Sequence, residues 1–453
     1  MLSKEDNELL CRIGPGTAMG NLLRQYWMPV LFSRELEADG PPRRQRLLGE
    51  DLIAFRDSSG RVGMLGNNCS HRGASLFFGR NEEEGLRCVY HGWKFDTDGR
   101  CLDMPNEPPE SNFKEKIHHL AYPCHERGGL IWIYMGPRSE PPPLPDLEFN
   151  KLPEEHVAIT KNIQDCNWVQ ALEGNLDSSH LSFLHTRLTQ EGDAGFGGAL
   201  GGGGGRGLYY RDKKIHIEVM PTESGVMYAA AREEQPGLMY WRVTHFLMPF
   251  WGMFAPVSAA ECPMQWWIPF DDDHVMKWDI RWNPEHPLSA EERAKFGTGD
   301  PGGYLPQTSD PLHQWRLKAD LSNDYLMDRE AQRTQRFSGI GSVNLQDKAV
   351  LESMGPMVDR TREHLGTTDA MMIQVRRRLL NAAKVLRDQG TVPPGVDEPE
   401  LYRVRSVSIA LSKGENWIES GHEYLKAFTD LPVMSVESQL AAGRIGLISP
   451  PRP

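Results

Sequence analysis

Between Arg46 and Gly136, short apolar stretches alternate with polar positions and are punctuated by Gly, Asp and Ser, a strand-and-turn texture. LLGEDLIAFRDSSGRVGML predicts a hairpin turning at Asp57 to Gly60, and WKFDTDGRCL a second around Asp98-Gly99. GGLIWIYMG supplies a closing strand. PRSEPPPLPDLEF follows, too proline-rich for a helix or a central strand, and marks a boundary. The pattern predicts a first unit over residues 1–145, its β core at about 46–136, and a second over 146–453.

The second unit opens with VAITKNIQDCNWVQALEGNLDSSHLSFLHT, a strand leading into a helix. GLYYRDKKIHIEVM, GVMYAAAREE, MYWRVTHFLMP, WGMFAPV, MQWWIPF and HVMKWDIRW then alternate as strands of a curved antiparallel sheet. From Pro311 the periodicity turns helical, in LHQWRLKADLSNDYLMDREAQRT, LQDKAVLESMGPMVDRTREHL and AMMIQVRRRLLNAAKVLRDQG. Sheet first and helices later predict an α+β fold. Nine of the thirteen residues from Gly195 to Gly207 are glycine, which reads as a flexible loop, with an active-site lid as the alternative.

Composition narrows the class. A length of 453 residues allows two or three domains, and a net charge of -12 opposes nucleic-acid binding. No apolar run reaches membrane-spanning length, and MLSKEDNELL is too charged for a signal peptide, so a cytoplasmic protein is expected. Seven cysteines offer no paired disulfide framework, and Cys11, Cys101, Cys124, Cys166 and Cys262 read as packing residues.

The other two cysteines carry chemistry. Cys69, His71, Cys88 and His91 form C-x-H-x16-C-x2-H. Each half-site pairs one thiolate with one imidazole, whereas zinc fingers run Cys-Cys then His-His. The order fits a Rieske two-iron, two-sulfide cluster, with cysteines on one iron and histidines on the other. Neither half-site offers the extra cysteine of high-potential Rieske proteins, and Gly92-Trp93 stands where those carry a hydroxyl, so a low-potential centre is expected.

A second set lies in EGNLDSSHLSFLH, where Asp177, His180 and His185 read D-x2-H-x4-H. Two histidines and a carboxylate make the facial triad of non-haem iron(II). Residues five apart sit about 140° apart on an ideal helix, so a π-bulge or a helix end must bring the histidines together. Asp177, three residues before His180, is better placed to bond a histidine's outer nitrogen than to bind metal. Asp324, Asp328, Asp347, Glu352 and Asp359 all remain candidates for the third ligand.

Over almost its whole length the chain resembles the oxygenase (alpha) subunits of Rieske non-haem iron ring-hydroxylating oxygenases. ELLCRIGPGTAMGNLLRQYWMPV, CVYHGWKFDTDG, NWVQALEGNLDSSHLSFLH, WRVTHFLMP and NDYLMDREAQRT carry the likeness. It is nearest the phthalate dioxygenase branch, with vanillate and dicamba O-demethylases more distant. The resemblance implies an all-β Rieske [2Fe-2S] domain, then a catalytic domain whose curved antiparallel sheet wraps a long helix in helix-grip (START-like) form. It implies Cys69, His71, Cys88 and His91 on the cluster, and His180, His185 and Asp347 on Fe(II). It also implies that Asp177 bridges to a neighbouring subunit's cluster histidine, in a homotrimer or stacked pair of trimers.

The implied activity uses O2 and electrons from an NAD(P)H-dependent flavin/iron–sulfur reductase, or a ferredoxin, to oxidise an aromatic substrate. Ring dihydroxylation and O- or N-dealkylation both remain open. The alternatives are a Rieske electron-transfer protein, which needs only the first unit, and a ligand-binding module without oxygenase activity. Phthalate-binding relatives hold their substrate with two guanidiniums. Arg242 matches one, but RDKKIHIEV offers His216 and Lys214 where the other is expected, favouring a monocarboxylate or a neutral ether or amide.

Overall fold

The computed structural model describes residues 1–188, 213–256, 261–296 and 303–442; the glycine tract lies outside them. Helices Lys4–Cys11 and Ala18–Leu23, each capped by a hydroxyl (Ser3, Thr17), precede three small antiparallel sheets. Trp27–Phe32, Leu130–Tyr134 and Cys124–Arg127 form the first, and Arg43–Leu47, Glu50–Arg56, Val62–Gly66 and Ala121–Tyr122 the second. Arg80–Glu82, Gly85–Arg87, Lys94–Phe95 and Cys101–Asp103 form the third.

Both expected hairpins are present and share one device. Asp57 accepts the amides of Ser59 and Arg61, and Asp96 those of Asp98 and Arg100. Ile53, Phe55, Leu65, Leu76, Leu86 and Phe95 make a small core that also holds Cys69, Cys88 and Trp93.

The second unit is built on an eight-stranded antiparallel sheet. Its order is Val157–Gln164, Val275–Trp282, Cys262–Pro269, Trp251–Met253, Leu238–Leu247, Gly225–Gln235 and His216–Thr222. Ser408–Ser412, which the sequence pattern did not flag, pairs with Leu238–Arg242. Val226, Tyr228, Ala230 and Phe246 share the inner core with helices Trp168–Leu176 and Ala370–Gln389. The alternate residues Met227, Ala229, Ala231, Trp241 and Val243 bury against Ile409, Trp417 and Met434. Helix Trp168–Leu176 lies so close to the sheet that a Cβ at Gly252 would stand 1.8 Å from Asn175 Oδ1.

Two helical expectations fail in part. In the stretch 345–365 the helix stops at Ser353, and residues 354–365 are turn and coil. Residues 311–334 are not continuously helical: only Arg329–Thr334 is α-helix, and Trp315, Asp324, Tyr325 and Leu326 have positive φ. Asp310, Asp320 and Asp328 each accept a nearby amide, and this local bonding competes with the helix ladder.

One hydrophobic core spans both units, and a buried cation sits within their contact. Lys161, 2% exposed, pairs with Glu35 at 2.5 Å and lies 4.5–4.9 Å from the rings of Phe32, Trp278 and Trp315. Burial, only partly offset by Glu35, lowers its pKa to about 8. Lys161→Ala leaves the buried Glu35 with only Arg43 and the Phe32 amide as partners and is expected to destabilise by about 2–3 kcal/mol. Chemical denaturation checks this; an unchanged midpoint would mean that the pair does not hold the units together.

Candidate metal centres

Two matching turns present the four Rieske-spaced residues. Cys69 N donates to Ala74 O and Gly73 N to Cys69 O; Cys88 N donates to Trp93 O and Gly92 N to Cys88 O. Gly73 and Gly92 have φ of 76° and 78°, a conformation side chains resist. The sulfurs lie inside, with Cys69 and Cys88 3% and 2% exposed, and the imidazoles lie at the rim. The rings of His71 and His91 are 4.4 Å apart, and Trp93 stacks on His71 at 4.5 Å.

His71 Nδ1 is buried without a hydrogen-bond partner among the described residues, as suits a nitrogen that would ligate a metal. Burial lifts the Cys69 thiol to about 11, against the backbone amides of His71 and Arg72, which donate to its sulfur. A coordinating iron would hold that sulfur as thiolate.

The second centre forms where a helix stops. Trp168–Leu176 ends at Asp177, whose Oδ1 accepts both the amide and the hydroxyl of Ser179 at 2.6 Å. His180 opens a 3-10 turn, so the chain leaves helical geometry before either histidine and the expected 140° divergence disappears. His180 Nε2 lies 3.1 Å from His185 Nε2; Asp347 Oδ1, from helix Val343–Ser353, lies 3.6 and 3.2 Å from them. The three donor atoms fall within 4.8 Å of one another. Spacings of about 3 Å are those of neighbouring ligands on a six-coordinate ion with bonds of about 2.1 Å.

The other ring nitrogens explain the approach. His180 Nδ1 faces Asp177 Oδ2 at 3.3 Å, and His185 Nδ1 bonds Gln346 Oε1 at 2.6 Å. With both Nδ1 atoms donating, two Nε2 lone pairs and a carboxylate point at one place. That arrangement calls for a cation.

Residues 26–121 match the Rieske [2Fe-2S] domain, and residues 133–439 match the family described as LigXa C-terminal domain like. The chain is 41% identical to the 3-chlorobenzoate-3,4-dioxygenase oxygenase subunit of Comamonas testosteroni, over 93% of this chain and 98% of that protein. It belongs to the Rieske oxygenases, as an oxygenase subunit. It is also 36% identical to the phthalate 4,5-dioxygenase oxygenase subunit of Pseudomonas putida, over 96% and 98% of the two chains. A solved structure of Pseudomonas putida CBB5 NdmA, a QL mutant with caffeine, shares the fold at TM-score 0.56 and 19% identity, covering 88% of this chain and 99% of that one. The enzyme class excludes a pure electron carrier and a passive ligand-binding module. Both donor sets fit the groups that Rieske oxygenases carry, a two-iron cluster and a mononuclear iron.

Of the five carboxylates considered for the oxygenase's iron, Asp347 alone reaches the histidines. Asp328 caps a helix, Asp359 bonds Thr361, and Glu352 takes Lys348, Tyr325 and the Asp165 amide. Asp324 lies on the exposed loop at φ 51°. Arg242, 7% exposed, shares a sheet face with Tyr228 and Thr244.

His216 corrects an expectation. It pairs with Ala231, whose neighbour across the sheet is Trp241, and so points away from the Arg242 face, exposed and bonded to Glu218. A second guanidinium does lie on the Arg242 face, from the next strand. Arg232 is fully buried and donates to Ser178 O at 2.7 Å, beside Asp177. Period-two alternation in GVMYAAARE was the signal for it, but only register shows which strand supplies it.

Burial pulls the His180 imidazole down, but the Asp177 hydrogen bond and the Asp347 and Asp177 charges outweigh it, so its pKa lies above the ordinary 6.5. The reciprocal interaction brings Asp177 down to about 2, against burial. Iron(II) must displace the His180 proton, so loading releases protons and weakens as pH falls. Chelator-resistant iron at this centre is expected to decline as pH falls, starting at a higher pH than the titration of an ordinary histidine. Iron analysis across pH checks this; retention unchanged to about pH 5 would contradict it.

Proposed function

We propose that this subunit uses dioxygen and electrons from an NAD(P)H-dependent flavin/iron–sulfur reductase, directly or through a ferredoxin, to cis-dihydroxylate an aromatic carboxylic acid in the cytoplasm. Cys69, His71, Cys88 and His91 hold the cluster, and His180, His185 and Asp347 hold Fe(II). The iron supplies oxygen activation. Both atoms of dioxygen add to adjacent ring carbons, and two electrons with two protons balance the product.

One observation carries the substrate class: Arg232 and Arg242 are buried on one sheet face, and the Arg232 charge reaches His180. Planar guanidinium forks match a carboxylate and would hold its ring in one orientation. The names of the chlorobenzoate and phthalate relatives support the same class. Tyr228, on that face and hydrogen-bonded with Thr244, is kept neutral by burial, which raises its pKa to about 12.

Asp177 works between centres. Its Oδ2 holds His180, and a carboxylate retains lone pairs for a second imidazole. In a head-to-tail homotrimer, single or stacked in pairs, that imidazole is a cluster histidine from the neighbouring subunit. Val89 and Tyr90, 57% and 55% exposed beside His91, give the cluster tip an apolar rim suited to such a contact.

A single turnover of the chemically reduced protein with labelled dioxygen, over a panel of substituted benzoates, tests the reaction. Two labelled oxygens in a ring diol are expected; a dealkylated product with aldehyde release would overturn dihydroxylation. Arg242→Ala is expected to raise KM for the acid by about tenfold or more, with kcat reduced less. An unchanged KM would remove the carboxylate anchor.

A further inference from the structure

Asp347 is preceded by a side chain that neither the family resemblance nor the metal pattern singles out. Gln346 is 4% exposed on helix Val343–Ser353. Its Nε2 donates to the carbonyl of Ile340 at 2.8 Å, and its Oε1 faces His185 Nδ1 at 2.6 Å. A carbonyl only accepts, so the amide is oriented: its NH2 must face Ile340 and its oxygen must face the ring. His185 is thereby held with its proton on Nδ1 and its lone pair on Nε2, the atom 3.2 Å from Asp347 Oδ1.

The two histidines are therefore backed differently. Asp177, an anion, stands behind His180; a neutral amide stands behind His185. A carboxylate at 346 would put a third negative charge beside Asp177 and Asp347. We infer that Gln346 is a positioning residue for the mononuclear centre, fixing the metal-binding tautomer and ring plane of His185 without adding charge. One turn of helix thus delivers a ligand, Asp347, and the group that orients another. The inference rests on the iron reading of the triad.

The test measures Fe(II) affinity of the full-length protein by competition with a chelator, with the cluster's visible spectrum as an internal control. Gln346→Leu is expected to weaken Fe(II) binding by about 10–100-fold while the cluster spectrum stays intact. Gln346→Glu, which can still accept from His185 but as an anion loses its donation to Ile340, is expected to keep iron. It should also shift the electron paramagnetic resonance of the nitric oxide adduct, because a charged acceptor makes His185 a stronger donor. If the amide only braces the Ile340 turn, the Glu variant will lose as much iron as the Leu variant, and the inference fails. It also fails if Gln346→Leu binds iron like the parent. Asp347→Ala separates the two levels: iron retained at that site would overturn the triad itself, whereas iron lost there with Gln346→Leu unaffected would overturn only the role of Gln346.

Discussion

Three lone pairs aimed at one point are the constraint on which the catalytic unit depends. His180 Nε2, His185 Nε2 and Asp347 Oδ1 repel one another unless a cation sits between them, yet the surrounding bonds drive them together. Asp177 pulls on one ring, Gln346 on the other, and helix Val343–Ser353 brings up the carboxylate. The metal-free site therefore favours a proton on His180, and the metal replaces it.

Holding that point requires the rest of the unit. Helix Trp168–Leu176 must lie flat on the sheet, which Gly252 allows, and must stop at Asp177, which the side-chain bonds to Ser179 enforce. Its C-terminal half is also tied by charge: Glu173 takes both Arg360 and Arg376, linking the helix to Ala370–Gln389. Gln170 bonds the carbonyls of Leu351 and Gly355, fixing the Asp347 helix against helix Trp168–Leu176. The cluster unit solves the opposite problem, with tight β turns on a small core and little helix. One centre is set by backbone turns and the other by side chains from distant segments.

That difference decides what was legible in the sequence. The four Rieske-spaced residues lie within two short loops, so spacing alone singled them out as candidates. His180 and His185 were legible as a pair, but the helix end that joins them was only one of two options. Asp347 lies 162 residues beyond His185, and pattern did not separate it from Asp324, Asp328, Glu352 and Asp359; the family resemblance did. Arg232 and Gln346 went unread because strand register and a single hydrogen bond give them their meaning. Strand Ser408–Ser412 was hidden in a helical tail, and residues 311–334 looked helical because aspartate turns mimic helix caps.

The most direct test of the account is the iron content of the purified oxygenase set against that of Asp347→Ala, with acid-labile sulfide measured in both. The account predicts about three irons and two sulfides per chain in the parent, and two irons with unchanged sulfide in the variant. Two irons in the parent, or three retained in the variant, would contradict the claim that His180, His185 and Asp347 together hold the catalytic metal.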